Sequence, residues 1–128
     1  MEQRNYTRIP IEVIVELQLN DDTCLYGETG DLSLDGAFIH FSTAVKLEPG
    51  KHGRLVLVIK SDEGWVRVRF DATIAHVRQD GIGIRLDSAH AAHYGAFLKL
   101  LLEGSDDIDR LLDELGHNPG QQFHFSKG

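Results

Sequence analysis

The chain has 128 residues, of which 41% are hydrophobic and 26% are charged, and these values suit one folded domain. They exclude a disordered or a fibrous protein. The formal net charge of −7 argues against DNA or RNA as a partner, because nucleic-acid-binding domains normally carry a basic excess that releases counterions from phosphates.

The first half of the chain predicts short β-strands separated by polar turns. Apolar side chains occupy the odd positions of residues 11–19, an alternation that is typical of a half-buried strand. Residues 24–30, 37–41 and 55–59 also have the composition of strands, and the segments between them are rich in turn-forming residues. The first two strands are expected to form a hairpin.

Residues 65–78 predict a long strand with one apolar face, and a change of parity near residues 75–77 indicates a bulge. Asp80 and Gly81 form a turn pair, and the alternating residues 81–86 should return alongside the long strand. Six or so strands of this kind favour an antiparallel sheet closed into a small barrel over alternating β–α–β units.

The hydrophobic period becomes helical after Ser88, a candidate N-cap, and continues to Gly104. Ser105 is expected to cap a second short helix that Gly116 ends. Its apolar residues lie at i, i+3, i+4 and i+7 and normally indicate core packing, although such a helix can also mediate a dimer or dock an effector. These residues are Ile108, Leu111, Leu112 and Leu115.

The predicted organisation is therefore a single all-β-dominated domain over residues 1–116, followed by a flexible tail at residues 117–128. Within the domain, residues 1–10 form an N-terminal arm, residues 11–87 the barrel, and residues 88–116 the C-terminal helices.

Cysteine content and hydropathy indicate a cytoplasmic protein. Cys24 is the only cysteine, so the chain can form neither an intramolecular disulfide nor a thiolate zinc cluster. No apolar run approaches the roughly 20 residues that span a bilayer. The start, MEQRNYTRIP, lacks the apolar stretch of a signal peptide. We expect no membrane partner.

Arg4 and Arg8 are the first candidate site residues. They lie four residues apart before the first strand, and in either an extended or a helical segment both side chains project to roughly the same side. A guanidinium group matches a phosphate, and also the O6/N7 edge of guanine, with two hydrogen bonds. Taken alone, such a pair is more often two solvated charges near a terminus.

The segment DLSLDG supplies the other candidates, Asp31, Ser33 and Gly36. Aspartate and serine exchange hydrogen bonds with a ligand base, and glycine lets the backbone approach closely. The same residues also favour an ordinary hairpin turn, because Asp and Ser side chains bond their own backbone.

Together the two motifs resemble the signature of the PilZ family, an RxxxR segment followed by D/N-x-S-x-x-G. Arg4, Arg8, Asp31, Ser33 and Gly36 fill all five positions, and the resemblance extends through the GIGIRL segment and the helix after it, over residues 4–102. PilZ domains are six-stranded antiparallel β-barrels with a C-terminal helix, in agreement with the strand count above.

The resemblance implies binding of cyclic di-GMP as a ligand, with no cofactor. Arg4 and Arg8 would contact phosphates and guanine edges, while the second motif would contact the other face of the dinucleotide. Gln3 stands where many family members carry a further arginine, associated with binding a stacked ligand dimer, which leaves the ligand stoichiometry open. His76 and Arg78, on the predicted long strand, are second-rank candidates that we expect near the same barrel face.

No metal site and no enzyme activity are expected. His90 and His93 are spaced i, i+3 on the predicted helix, but no third metal ligand accompanies them, which favours solvated histidines. The sequence contains no Ser/His/Asp order, no Walker-type glycine loop and no HExxH motif.

The sequence thus predicts a cyclic di-GMP sensor whose arm, flexible when free, folds over the ligand and changes the surface offered to a downstream protein partner. We expect a monomer or a weak homodimer. The alternative is a PilZ-like interaction adaptor for pilus or motility assembly that binds no nucleotide; such adaptors lack the motif that this chain retains.

Overall fold

The computed structural model describes residues 6–19, 22–41, 47–116 and 122–124. Six antiparallel strands make up most of this part of the chain: β1 (Ile14–Leu19), β2 (Cys24–Leu32), β3 (Gly36–Phe41), β4 (His52–Ser61), β5 (Gly64–Val77) and β6 (Ile82–His90). They pair in the order β3-β2-β1-β4-β5-β6, and the pairing of β3 with β6 closes the sheet. The predicted six-stranded antiparallel barrel is confirmed.

Strict alternation fills the barrel interior. Along β5, Val66, Val68, Phe70, Ala72 and Ile74 are all buried, and the intervening residues other than Thr73 are partly or fully exposed. The predicted bulge is present, because Ile74 pairs with Ile84 but His76 pairs with Gly83, which leaves Ala75 without an opposite residue on β6. The outer side chains of the strands are thereby free to build a surface site.

Helix α1 (Tyr94–Gly104) packs on the barrel through three aromatic rings. The rings of Phe70 and Phe97 meet edge to face with centroids 4.9 Å apart, and Tyr94 lies 5.6 Å from Phe97. Burial raises the pKa of the Tyr94 phenol to about 12, since the charged phenolate is poorly solvated there.

The expectation that Ser88 caps this helix is wrong. Ser88 lies within β6 and pairs with Asp71 of β5, and its hydroxyl donates to Asp71 Oδ2 at 2.9 Å. A register shift between Asp71 and Ala72 lets β6 continue past Leu86, so the strand persists to His90. The helix begins at Tyr94, after His93 turns the chain with a φ of 62°.

Helix α2 (Ile108–Gly116) ends at Gly116 as expected, but its N-cap is Asp107. The Asp107 carboxylate accepts a hydrogen bond of 3.1 Å from the Arg110 amide, whereas Ser105 Oγ accepts one from the Asp107 amide in the loop before the helix. Of the four apolar residues of α2, only Leu111 is fully buried.

Two terminal segments contact the barrel. A short strand, β7 (Gln122–His124), pairs in parallel with residues 88–90 of β6, so part of the predicted flexible tail joins the sheet. Residues 6–10 of the predicted flexible arm pack on the barrel, where Ile9 is 3% exposed. In the described ranges, no helix is long and apolar enough to cross a membrane.

Candidate ligand-binding cleft

The arm is held against the end of β2 by a two-hydrogen-bond bridge. The Ile9 amide donates to the Leu32 carbonyl at 2.8 Å, and the Leu32 amide donates to the Ile9 carbonyl at 2.9 Å. The Ile9 side chain is buried in the core beneath this bridge. Because the bridge fixes the backbone on both sides, Arg8 and Asp31 become neighbours although they are 23 positions apart.

Arg8 and Asp31 form an ion pair with 2.9 Å between Nη1 and Oδ1. Their side chains are 54% and 31% exposed, so solvent screening leaves the pair little weight in the free energy of folding. Its consequence is positional, because the carboxylate holds the Arg8 guanidinium beside the end of β2.

Ser33 supports the turn between β2 and β3. Its amide donates to the Gly36 carbonyl at 2.9 Å, and its hydroxyl lies 2.8 Å from Asp35 Oδ1 as donor and 3.3 Å from the Asp35 amide as acceptor. The residue is fully buried. In this structure Ser33 stabilises the turn from a buried position, and a direct contact of Ser33 with a ligand stays a prediction.

Gly36 is required by a close approach of two strands. A Cβ at this position would lie 2.8 Å from the Ile84 carbonyl oxygen of β6 and 3.9 Å from Arg8 Nη2. A side chain would therefore press on the β3–β6 seam and occupy the space that the Arg8 guanidinium borders. The glycine therefore allows β3 to pair closely with β6 and leaves space beside the Arg8 guanidinium.

Arg8 and Asp31 border a cleft of about 350 Å³ on the outer face of the barrel, which Ser33 and Gly36 do not line. Its lining includes Arg8, Asp31, His76 and Arg78, so the structure brings the two second-rank candidates to the primary motif. Phe38 and Asp80 complete the lining, and sequence reasoning missed both. The signal for Phe38 was available, because a large apolar residue stands there at an outward position between buried Ala37 and Ile39.

An aromatic surface forms the floor of the cleft. The rings of Phe38 and His76 stack at 6.3 Å with an interplanar angle of 24°, and the Arg78 guanidinium carbon lies 5.9 Å from the Phe38 centroid. Both rings flank Gly83, which pairs with Phe38 on one side and with His76 on the other. The absence of a side chain at Gly83 lets the His76 ring lie over the strand.

His40 connects two residues that line the cleft, Asp80 and Phe38. His40 Nδ1 donates to the Asp80 carbonyl at 3.0 Å, which fixes the tautomer because a carbonyl oxygen only accepts. The His40 ring also packs edge to face on Phe38, with centroids 5.1 Å apart. The β5–β6 turn that carries Asp80 is thus linked to β3.

Formal charges in the cleft balance between two arginines, Arg8 and Arg78, and two aspartates, Asp31 and Asp80. In a chain of net charge −7, two arginines lining one cleft lower the repulsion that an anionic ligand would meet elsewhere on the surface. Arg4 and Gln3 lie outside the described residues.

A second cleft of about 330 Å³ lies between α1 and the end of β4, where Lys99 Nζ contacts Asp62 Oδ2 at 3.0 Å. It holds none of the motif residues. Nor do His90 and His93 share a helix, since one ends β6 and the other precedes α1. Across the described ranges, no cluster of three or more His, Cys, Asp or Glu side chains is placed to hold a metal ion.

The sequence pattern of the PilZ domain family matches residues 2–103. The chain therefore belongs to the PilZ family, whose members typically serve as binding or adaptor modules and generally bind cyclic di-GMP as a ligand. A search of curated proteins gives no match.

Two solved structures share the fold. One is the inhibitor of motility (MotI/DgrA) of Bacillus subtilis, with a TM-score of 0.66 and 14% identity over 80% of this chain and 51% of that one. The other is the PilZ domain of CeSA from a cellulose-synthesizing bacterium, with a TM-score of 0.51 and 23% identity over 77% of this chain and 94% of that one. This chain thus spans about half the length of the motility inhibitor.

Proposed function

We propose that this chain is a cyclic di-GMP sensor module that binds the dinucleotide in the cleft beside β3 and signals to a protein partner. The observation that carries the proposal is the contact of Arg8 with Asp31 next to Gly36, in a barrel of the PilZ family. The primary ligand residues are Arg4, Arg8, Asp31, Ser33 and Gly36, and Gln3, His76 and Arg78 are secondary ones.

The chemistry of the cleft suits a guanine dinucleotide. The guanidinium group of Arg8 can pair with a phosphate or with the O6/N7 edge of guanine. Among the described residues, the ion pair with Asp31 uses only the Nη1 atom of this group. A carboxylate at Asp31 accepts hydrogen bonds from a guanine N–H. The stacked rings of Phe38 and His76, with Arg78 beside them, offer a π surface on which a purine stacks.

Binding and signalling require no chemical step. The arm would fold over a ligand in a cleft whose floor is already built, and the conformational change would be confined to the arm and what it contacts. The partner, the regulated process and the cytoplasmic setting belong to the same proposal, which treats the protein as a monomer or a weak homodimer. Inhibition of motility, the property named for one structural neighbour, is one such process.

Isothermal titration calorimetry with cyclic di-GMP tests the proposal. We expect micromolar or tighter affinity, and we expect Arg4→Ala and Arg8→Ala each to remove about 1.5–3 kcal/mol of binding free energy, the scale of charge-assisted hydrogen bonds. Arg54→Ala is the matched control, since Arg54 is an exposed strand arginine outside the cleft lining. GMP should bind far more weakly.

Unchanged affinity in both arginine variants would refute the proposed site. If the wild-type protein gives no heat and no thermal shift with cyclic di-GMP, the nucleotide-free adaptor becomes the better account. That alternative has some structural support, because Ile108 and Leu112 of α2 are exposed apolar side chains one turn apart.

A further inference from the structure

The structure ties the arginine-bearing arm to helix α2 through one carboxylate. The Thr7 amide donates to Glu114 Oε1 at 2.8 Å, and the Thr7 hydroxyl donates to Glu114 Oε2. The two residues are 107 positions apart, and Thr7 directly precedes Arg8. Arg110 adds a third contact, with 3.3 Å from its Nε to Glu114 Oε2.

The Glu114 side chain is only 11% exposed, so its charge is removed from most of the solvent. Burying a carboxylate is unfavourable unless donors replace its water, and Thr7 and Arg110 supply those donors. The arm beneath is packed as well, because a Cβ at Gly104 would lie 3.1 Å from Ile9 and 2.9 Å from Ile11. Both α1, at Gly104, and α2, at Glu114, therefore pack against the arm.

We infer that Glu114 is a positioning residue for the ligand site, acting through Thr7 to hold Arg8 at the cleft. Thr7 is fixed by Glu114 on one side of Arg8, and Ile9 is fixed by Leu32 on the other. Arg8 is thus pre-ordered before a ligand arrives. By linkage, the occupancy of the cleft and the docking of α2 stabilise each other.

The magnitude follows from the entropy of ordering. Without the Glu114 contact the ligand must itself order the backbone at Thr7, which costs conformational entropy, while the Ile9–Leu32 bridge still holds the chain directly after Arg8. We expect Glu114→Ala to weaken cyclic di-GMP binding about tenfold, which corresponds to about 1.4 kcal/mol. This expectation rests on the proposed function.

Glu114→Gln is the rescue variant. The amide oxygen still accepts from the Thr7 N–H, and the amide nitrogen donates to the Thr7 hydroxyl oxygen. Only the contact of the exposed Arg110 side chain with Oε2 is lost, so we expect affinity within about threefold of wild type. Asp109→Ala is the matched control, because it removes an exposed carboxylate from the same helix without touching the arm.

Two measurements on the full chain test the inference. Calorimetry gives the affinities of the four proteins. Amide hydrogen exchange in the ligand-free state reports the arm directly: in Glu114→Ala the amides of Thr7 and Ile9 should exchange faster while β4 and β5 keep their protection. In the wild type, ligand should also slow exchange in α2, and Glu114→Ala should lose that response.

Unchanged affinity in Glu114→Ala, or tighter binding, would overturn the positioning role, and so would unchanged exchange at Thr7 and Ile9. If the wild-type protein binds no cyclic di-GMP, the proposed function fails, and the ligand-free exchange still decides whether Glu114 orders the arm.

Discussion

Gly83→Ala offers a sharp test of the cleft floor. The ideal Cβ at this position would lie 2.1 Å from His76 Cε1, 2.4 Å from Nε2 and 2.6 Å from Nδ1. All three contacts are with one side chain and none is with backbone, so the barrel can form if the imidazole leaves its place. The variant should therefore displace His76 from its stack on Phe38 without unfolding the protein.

The expected cost of this displacement is modest. Forcing a side chain off its preferred rotamer costs about 0.5–1.5 kcal/mol, and we expect a loss of about 1 kcal/mol in the free energy of unfolding, measured by urea denaturation. Binding of cyclic di-GMP should weaken by about three- to tenfold because the stacking surface is broken. Gly95→Ala is the control, since a Cβ there meets nothing within 4 Å.

A double-mutant cycle shows whether the effect passes through the imidazole. If His76→Ala is already present, adding Gly83→Ala should change ligand affinity little, because the displaced ring is gone. Additive effects of the two substitutions would refute the reasoning, and so would unchanged His76 resonances in Gly83→Ala.

Three further outcomes follow from single contacts. Gly36→Ala places a Cβ 2.8 Å from the Ile84 carbonyl, so both the melting temperature and cyclic di-GMP affinity should fall. Burial raises the pKa of Tyr94 to about 12, whereas in the unfolded chain it lies near 10. The neutral phenol therefore contributes its full share to the free energy of unfolding below pH 10, and this share is lost as the pH rises toward 12. Allowing for solvent screening, urea denaturation over this pH range should show the free energy of unfolding fall by about 1–2 kcal/mol. The fall should be absent in Tyr94→Phe and present in Tyr26→Phe. Asp107→Ala should lower the free energy of unfolding by about 1 kcal/mol in urea melts through loss of the α2 cap.

The barrel was predictable because its strands alternate or have a strand-like composition between turn residues. Alternation located β1, β5 and β6, composition and flanking turns located β2, β3 and β4, and the parity change near residue 75 located a bulge. Ser88 was misassigned because a serine before a helical period has the same appearance as a serine at the end of a strand. Only the register of β6 against β5, which brings its hydroxyl to Asp71, distinguishes the two.

That Arg8, Asp31 and Gly36 would be neighbours could be predicted from a motif, whereas contacts made where the fold brings strands together could not. Arg8, Asp31 and Gly36 came from spacing and family resemblance, and the structure places them side by side. Phe38 reaches the cleft because β3 pairs with β6, and Asp80 reaches it because His40 bonds the β5–β6 turn. Local periodicity does not encode either contact.

The contact of Thr7 with Glu114 is of the same kind as the contacts that place Phe38 and Asp80. It joins two residues that carry no motif and lie at opposite ends of the domain.

Mapping of backbone and side-chain resonances during a cyclic di-GMP titration tests the central claim most directly. We expect the largest shifts at Arg8, Asp31, Gly36, Phe38 and His76, the residues in and beside the 350 Å³ cleft. Shifts concentrated instead around the 330 Å³ cleft between α1 and β4, or no shifts at saturating ligand, would contradict the account.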